Sequence, residues 1–260
     1  MIDRLVRVAA GSLTRAKERL LGRQRPEFLP FRDLFAGRVG LEIGGPSAVF
    51  RARDCLPVYP HAARIDGLNF AGVTLWEGKI REGMTYRYAD DKLGRQYIGE
   101  ASDLGMIGDA SYDFVLSSHS LEHSANPLKC VAEWVRVLKP GGALLLVVPD
   151  ARMTFDHRRG TTPFAHLLDD HQRGVGEDDL THLDEILALH DLSMDPGAGD
   201  PTAFRARSLR NAENRALHQH VFDARLVDQV LGHVGIRVCY TDAAPPFHII
   251  ALGTSPANRP

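Results

Sequence analysis

Five histidines and ten carboxylates crowd the stretch from Asp150 to Asp191, against four arginines and no lysine. With histidine neutral, that stretch carries −6 where the whole chain carries −2. Such side chains bind divalent cations, pass protons near neutral pH, or merely cap solvated helices. Asp156 and His157 are adjacent in "TFDHRR", so in any regular element only one of them faces a given pocket. Asp178 and His182 in "EDDLTH" are four apart, which on a helix places a carboxylate and an imidazole on one face. The plainer reading is that Glu177, Asp178 and Asp179 complement the dipole of a first helical turn, with Leu180, Leu183 and Leu187 as its core face. His218 and His220 in "LHQHVFD" are two apart, and an extended backbone would turn both toward one ion or ligand. Oxygen-rich surroundings favour Mg²⁺ or Ca²⁺, and a histidine-rich shell Mn²⁺ or Zn²⁺. With no cysteine nearby, a structural zinc site is not expected.

These residues need elements to position them. "GRVGLEIGGP" reads as a short strand, Val39 to Ile43, running into glycines, and "HAARIDGLNF" as a second strand ending at Asp66. "RQYIGEASDL" holds a third, closing near Glu100, and "SYDFVLSSHSLEH" a fourth that opens into a polar turn. "NPLKCVAEWVRVLKPGG" is a helix with Pro127 in its first turn and Leu128, Val131, Val135 and Leu138 on one face. "ALLLVVP" is apolar throughout, as a strand covered on both faces must be. At the C-terminus a helix, "DARLVDQVLGHVG", precedes two strands joined too tightly for a parallel return. The expectation is therefore an α/β, Rossmann-like, doubly wound sheet of seven mostly parallel strands, with an antiparallel strand near the C-terminal edge. The acidic stretch leaves the end of the strand "ALLLVV", where such folds bind ligands, so residues 151–220 read as a helical lid. Residues 36–260 form the main domain, behind an amphipathic helical arm over 1–35.

Bulk properties exclude several classes. A 44% apolar and 25% charged composition is that of a folded soluble protein. No apolar run approaches the ~20 residues of a membrane span, and charges interrupt the N-terminus where a signal peptide would be apolar. Three widely spaced cysteines form no disulfide framework, which suits a reducing cytoplasm. A slightly acidic chain lacks the basic footprint of nucleic-acid binding. Residues 1–40 nonetheless carry +5, and Ile2, Leu5, Val6, Ala9, Leu13, Ala16 and Leu20 recur at helical spacing. That helix packs on its own domain, joins two copies into a homodimer, or lies on a membrane surface.

A glycine turn after the first strand lets backbone approach a ligand closely, and Asp66 follows Glu42 at about the offset of a ribose-binding carboxylate. "LEIGGP" followed by "GEASDLGMIGDASYDFVLSSHSLEHSANPLKCVAEWVRVLKPGGALLLVVP" resembles the core of class I S-adenosylmethionine-dependent methyltransferases. The resemblance places Gly44 and Gly45 under the methionine part of the cofactor with Glu42 beneath, and Asp66 on the ribose. It puts Glu100, Ala101 and Asp103 at the adenine and Ser118 near the sulfonium. The family's glycines alternate, whereas these are adjacent and followed by Pro46 and Ser47. "IGGPSAVF", "LPVYPHAARIDGLNF", "TLWEG", "SSHSLEHSANPLK", "TFDHRR" and "LHQHVFD" further resemble a subfamily that includes mycobacterial mannoside O-methyltransferases. That likeness implies a saccharide acceptor and a divalent ion, Mg²⁺ in the first instance; by residue type and spacing, Asp156, Asp178, His182, His218 and His220 are the ligands to consider.

His119, three residues past the apolar part of the fourth strand, is the first expected base, and His157 the second. His119 as a turn cap and His123 as a packing residue are the plainer readings. Other functions remain: methylation of another small hydroxylated metabolite, a nicotinamide-dependent oxidoreductase, and a non-catalytic binding module. The missing GxGxxG argues against the oxidoreductase.

Overall fold

A computed structural model describes residues 25–257. The basic helix expected between Ile2 and Leu20, with its dimer and membrane readings, lies outside the described residues. In chain order the strands are β1 (Val39–Ile43), β2 (Arg64–Asn69), a small hairpin of β3 (Val73–Thr74) and β4 (Gly78–Lys79), β5 (Gly83–Ala89), β6 (Lys92–Ile98) and β7 (Tyr112–Ser118). Helix α1 (Pro127–Val137) leads to β8 (Leu138–Pro149), then come α2 (Phe164–Arg173), α3 (Leu183–Leu189), α4 (Pro201–Ser208) and α5 (Asn211–Asn214). Helix α6 (Ala224–His233), β9 (Arg237–Ala244) and β10 (His248–Thr254) close the fold.

The main sheet has the order β5-β6-β2-β1-β7-β8-β10-β9. The strands from β6 to β8 are parallel, and β10 runs antiparallel between β8 and β9. The short β9–β10 connection produces that reversal. An eighth strand, β5, pairs antiparallel with β6 at the far edge. The seven-strand expectation missed it because Tyr86 and Tyr88 alternate with exposed residues on an edge strand. β1 lies between β2 and β7, so the chain order reverses there and the turns after β1 and β7 open side by side.

Burial explains the central elements. Phe114 to Leu116 and Ala143 to Val148 are covered on both faces, as a parallel sheet between two layers requires. On one side α1 packs through Leu128, Cys130, Val131, Trp134 and Val137. The Asn126 side chain caps that helix by accepting from the Lys129 N–H at 3.1 Å, with Pro127 at its start. Val135 is only half-buried, and Leu138 already belongs to β8. On the other side Phe28, Phe35, Phe50 and Tyr59 cover the sheet, with Phe35 edge-on to Phe114 at 5.2 Å. Residues 26–35 thus pack on the main domain rather than extending the arm.

Between β8 and α6 the chain builds four α-helices; α2 packs on the main core through Leu167, while Leu183 and Ile186 of α3 and Phe204 of α4 form a small core with Ala198 and Leu217. Two expectations fail here. Residues 177–182 are turns rather than a helical first turn, so Asp178 and His182 never share a helix face. The segment from Ala216 to Asp223 is irregular, and His218 and His220 do not point to one place.

Candidate active site

A cavity of about 800 Å³ opens at the carboxyl ends of β1, β2, β6, β7 and β8, and the helical segment between β8 and α6 supplies its far wall. One half is made by the sheet. Gly44 has φ of +75°, and a Cβ there would come within 2.1 Å of Ser120 Oγ, so only glycine fits the turn. Gly45 is turned down: a Cβ would meet the Glu42 carboxylate at 2.3 Å. Glu42 is fully buried and accepts from the Tyr59 and Tyr86 hydroxyls at 2.7 Å each and from the Ser47 N–H at 2.9 Å. Burial raises its pKa, opposed by those three hydrogen bonds. Glu42 therefore braces the glycine turn from behind and does not border the cavity.

Asp66 requires correction. β2 runs three residues past it to Asn69, so Asp66 sits inside the sheet opposite Leu41. Its carboxylate is occupied by the Arg95 N–H at 2.8 Å, the Tyr112 hydroxyl at 2.9 Å and the Arg64 guanidinium at 3.0 Å. Asn69 stands at the strand's end on the cavity wall, donating to the Gly45 carbonyl and accepting from Gln96. The sequence hid this because apolar Leu68 and Phe70 flank a residue that looks like loop. Glu100, Ala101 and Ser118 border the cavity, while Asp103 is exposed and accepts from the Gly105 N–H. Arg215, which sequence reading passed over, reaches from the inserted segment to Glu100 at 2.6 Å and lies 5.4 Å from the Phe70 ring centre.

The other half is made of imidazoles around one carboxylate. Glu122 is fully buried, and neither oxygen has a hydrogen-bond donor from another described residue. His119 Nδ1 lies 3.6 Å from Glu122 Oε1, His123 Nε2 3.9 Å and His218 Nε2 4.0 Å. Burial raises the Glu122 pKa to about 7. His119 has a left-handed φ of 51° and pairs through Nε2 with His248 Nδ1 at 2.9 Å. Burial, with His248 and His218 nearby, lowers its pKa to about 3. His123 Nδ1 faces the Leu217 carbonyl at 3.0 Å, so Nδ1 carries the hydrogen and Nε2 presents a lone pair. His218 Nδ1 lies 2.5 Å from Asp156 Oδ2, and buried Arg159 grips the same carboxylate at 3.1 Å. Burial alone would lower the His218 pKa, but Asp156 and Glu122 raise it overall. The His123 lone pair thus faces a carboxylate, as does that of His218 when its ring is neutral, an arrangement completed by a hydroxyl donor or a cation.

The remaining expected residues lie elsewhere. His157 is exposed, held by the Thr154 carbonyl and near Asp191, away from the cavity. Asp178 is exposed, and Glu177 accepts from the Ala125 N–H rather than capping a helix. His182 and His220 join His166 and Asp170 in a separate cluster. Glu122 carried a signal that the sequence reading passed over: it lies three residues after His119 and next to His123.

Residues 60–146, which run from before β2 into β8, match the family model described as a methyltransferase domain. No curated protein matches the chain. Among solved structures, this chain is similar to an S-adenosylmethionine-dependent methyltransferase from Mesorhizobium loti, at 14% identity and TM-score 0.49, over 88% of this chain and 97% of that one. One from Aquifex aeolicus is similar at 14% and 0.47, over 92% of each chain. The 1,6-didemethyltoxoflavin-N1-methyltransferase of Burkholderia thailandensis is similar at 13% and 0.47, over 97% of this chain and 87% of that one. These identities are too low to carry a substrate across. Residues 60–146 are thus similar to a methyltransferase domain.

Proposed function

We propose that the protein transfers a methyl group from S-adenosylmethionine to a hydroxyl of a saccharide acceptor, with mannosides the first acceptors to test. The observation that carries this is the orphaned carboxylate of Glu122, set among His119, His123 and His218 on the wall of the same cavity as the glycine turn. The bound cofactor supplies an electrophilic methyl on a sulfonium. Gly44, Asn69, Glu100, Ala101 and Ser118 form the wall against which it would lie.

An alcohol oxygen becomes a competent nucleophile only as its proton leaves, and a positioned base contributes typically 10²–10⁴-fold to such a step. His218 is built for that task. Asp156 holds Nδ1–H, so Nε2 is left as the accepting atom facing the cavity. Glu122, 4.0 Å from that Nε2, steadies the imidazolium that forms when the hydroxyl's proton is taken. His119, kept neutral by burial, is the weaker base and packs the turn beneath Glu122. Trp76, Phe155 and Phe247 line the same half, offering flat apolar faces for the C–H face of a sugar ring between polar groups. Where a divalent ion is bound instead, Glu122, His123 and His218 would hold it, with donor atoms within 4.8 Å of one another, and it would acidify a coordinated hydroxyl.

The test is methyl transfer to short mannosides by EDTA-stripped protein, with and without added Mg²⁺, alongside calorimetry with S-adenosylhomocysteine. Turnover that collapses in Glu122→Gln and His218→Ala while cofactor affinity holds is the expected result. Wild-type turnover in Glu122→Gln would overturn the assignment of the centre. Methylation of other hydroxyl compounds but no sugar would overturn the acceptor class.

A further inference from the structure

Away from the cavity, a second group of ligand-type side chains converges on one point. His166 and Asp170 are four apart on α2, His182 sits in the turn before α3, and His220 on the segment leading to α6. Their donor atoms all lie within 4.8 Å of one another. Asp170 Oδ2 is 3.1 Å from His166 Nε2 and 3.2 Å from His220 Nε2, and the Nε2 atoms of His166 and His182 are 2.9 Å apart. None of the four borders the cavity. The Nδ1 of His220 faces the Ser124 carbonyl at 3.1 Å, and a carbonyl can only accept. Nδ1 therefore carries the hydrogen, and in the neutral ring Nε2 turns a lone pair toward a carboxylate oxygen.

We propose that these four side chains form a closed structural site for a divalent transition metal, Zn²⁺ by the chemistry of three imidazoles and one carboxylate. Zinc ligands at about 2.0–2.1 Å in a tetrahedron stand about 3.3 Å from one another, close to the contacts seen here. The supporting contacts are those of a metal centre. Ser124 fixes the His220 tautomer, Arg173 holds the other Asp170 oxygen at 2.7 Å, and the Asn126 amide donates to the Asp170 carbonyl at 3.4 Å. The absence of cysteine does not forbid such a site, since imidazole and carboxylate alone can complete a zinc tetrahedron. The ion ties α2, the turn before α3 and the 215–223 segment together. His220 is two residues from His218, and its N–H donates to the Glu122 carbonyl at 3.3 Å. The site thus adjoins the segment that carries His218 without bordering the cavity.

The experiment is metal analysis of the full-length protein, prepared without a histidine tag, then dialysed with excess Zn²⁺ and afterwards against plain buffer. One zinc per chain is expected to remain in the wild type, in Glu122→Gln and in His218→Ala, and to be lost in His182→Ala and His220→Ala. Strong chelation should lower the wild-type Tm by about 5 °C or more, since an ion bound only to the native state stabilises it. Cobalt substitution of the wild type, which needs no variant to fold, should give the intense visible absorption of a tetrahedral centre. No retained zinc and a chelator-insensitive Tm would overturn the proposal. So would a weak, octahedral cobalt spectrum, or a metal lost in Glu122→Gln and kept in His182→Ala.

Discussion

His218 and His220 are separated by one residue and end in unlike surroundings. His218 turns into an open cavity, backed by Asp156 and facing the unpartnered carboxylate of Glu122. His220 turns the other way, into a closed cluster where the Asp170 carboxylate is already gripped by Arg173. The residue types are the same, so composition alone cannot separate a reactive centre from a structural one. What separates them is whether the carboxylate is satisfied and whether a ligand can reach it.

The sharpest way to break the comparison is to remove one acceptor from each cluster. Glu122→Gln and His218→Ala should each lower kcat by about 10²–10³, the range for loss of a positioned acid or base, with S-adenosylhomocysteine affinity within about twofold of wild type. Asp156→Asn should likewise lower kcat, by about 10² or more, because it disturbs the tautomer of His218 while leaving the ring in place. His182→Ala, assayed well below its Tm, should keep kcat within about threefold while unfolding at lower temperature. Equal losses of kcat in His182→Ala and His218→Ala would erase the distinction between the two clusters.

Arg215 tests the same boundary from the cofactor side, because it is the inserted segment's hold on the sheet's half of the cavity. Its guanidinium reaches Glu100 at 2.6 Å and lies 3.8 Å from Glu177. Arg215→Ala leaves both carboxylates without that cation, a change worth about 1–3 kcal/mol for partly buried groups. S-adenosylhomocysteine should then bind about tenfold more weakly by calorimetry. Unchanged affinity would mean that the insertion contributes only to the acceptor side.

The sheet was legible and the insertion was not, for one physical reason. Buried parallel strands write their identity into continuous apolar runs such as "ALLLVV", and the α1 cap and stop are local signals. The insertion's side chains are placed by contacts across the chain: Asp156 with His218, Asp170 with His220, Arg215 with Glu100. Local spacing suggested instead that Asp178 would meet His182 and that His218 would join His220. Both pairings assume a regular backbone, and the chain is irregular at both places.

Asp66 is the smallest case and the most instructive one. Its spacing from Glu42 marks it as a ribose ligand, yet three donors already occupy its carboxylate inside the sheet. Asp66→Asn should therefore cost about 1–2 kcal/mol of stability, through the lost charge-assisted hydrogen bonds, and change S-adenosylhomocysteine affinity by less than about twofold. Asn69→Ala, three residues on at the cavity wall, should change affinity more, because it frees the Gly45 carbonyl that shapes the turn. If the order of the two effects on affinity is reversed, the carboxylate can turn out of the sheet to meet the ribose. The spacing rule would then have read the site better than the hydrogen bonds do.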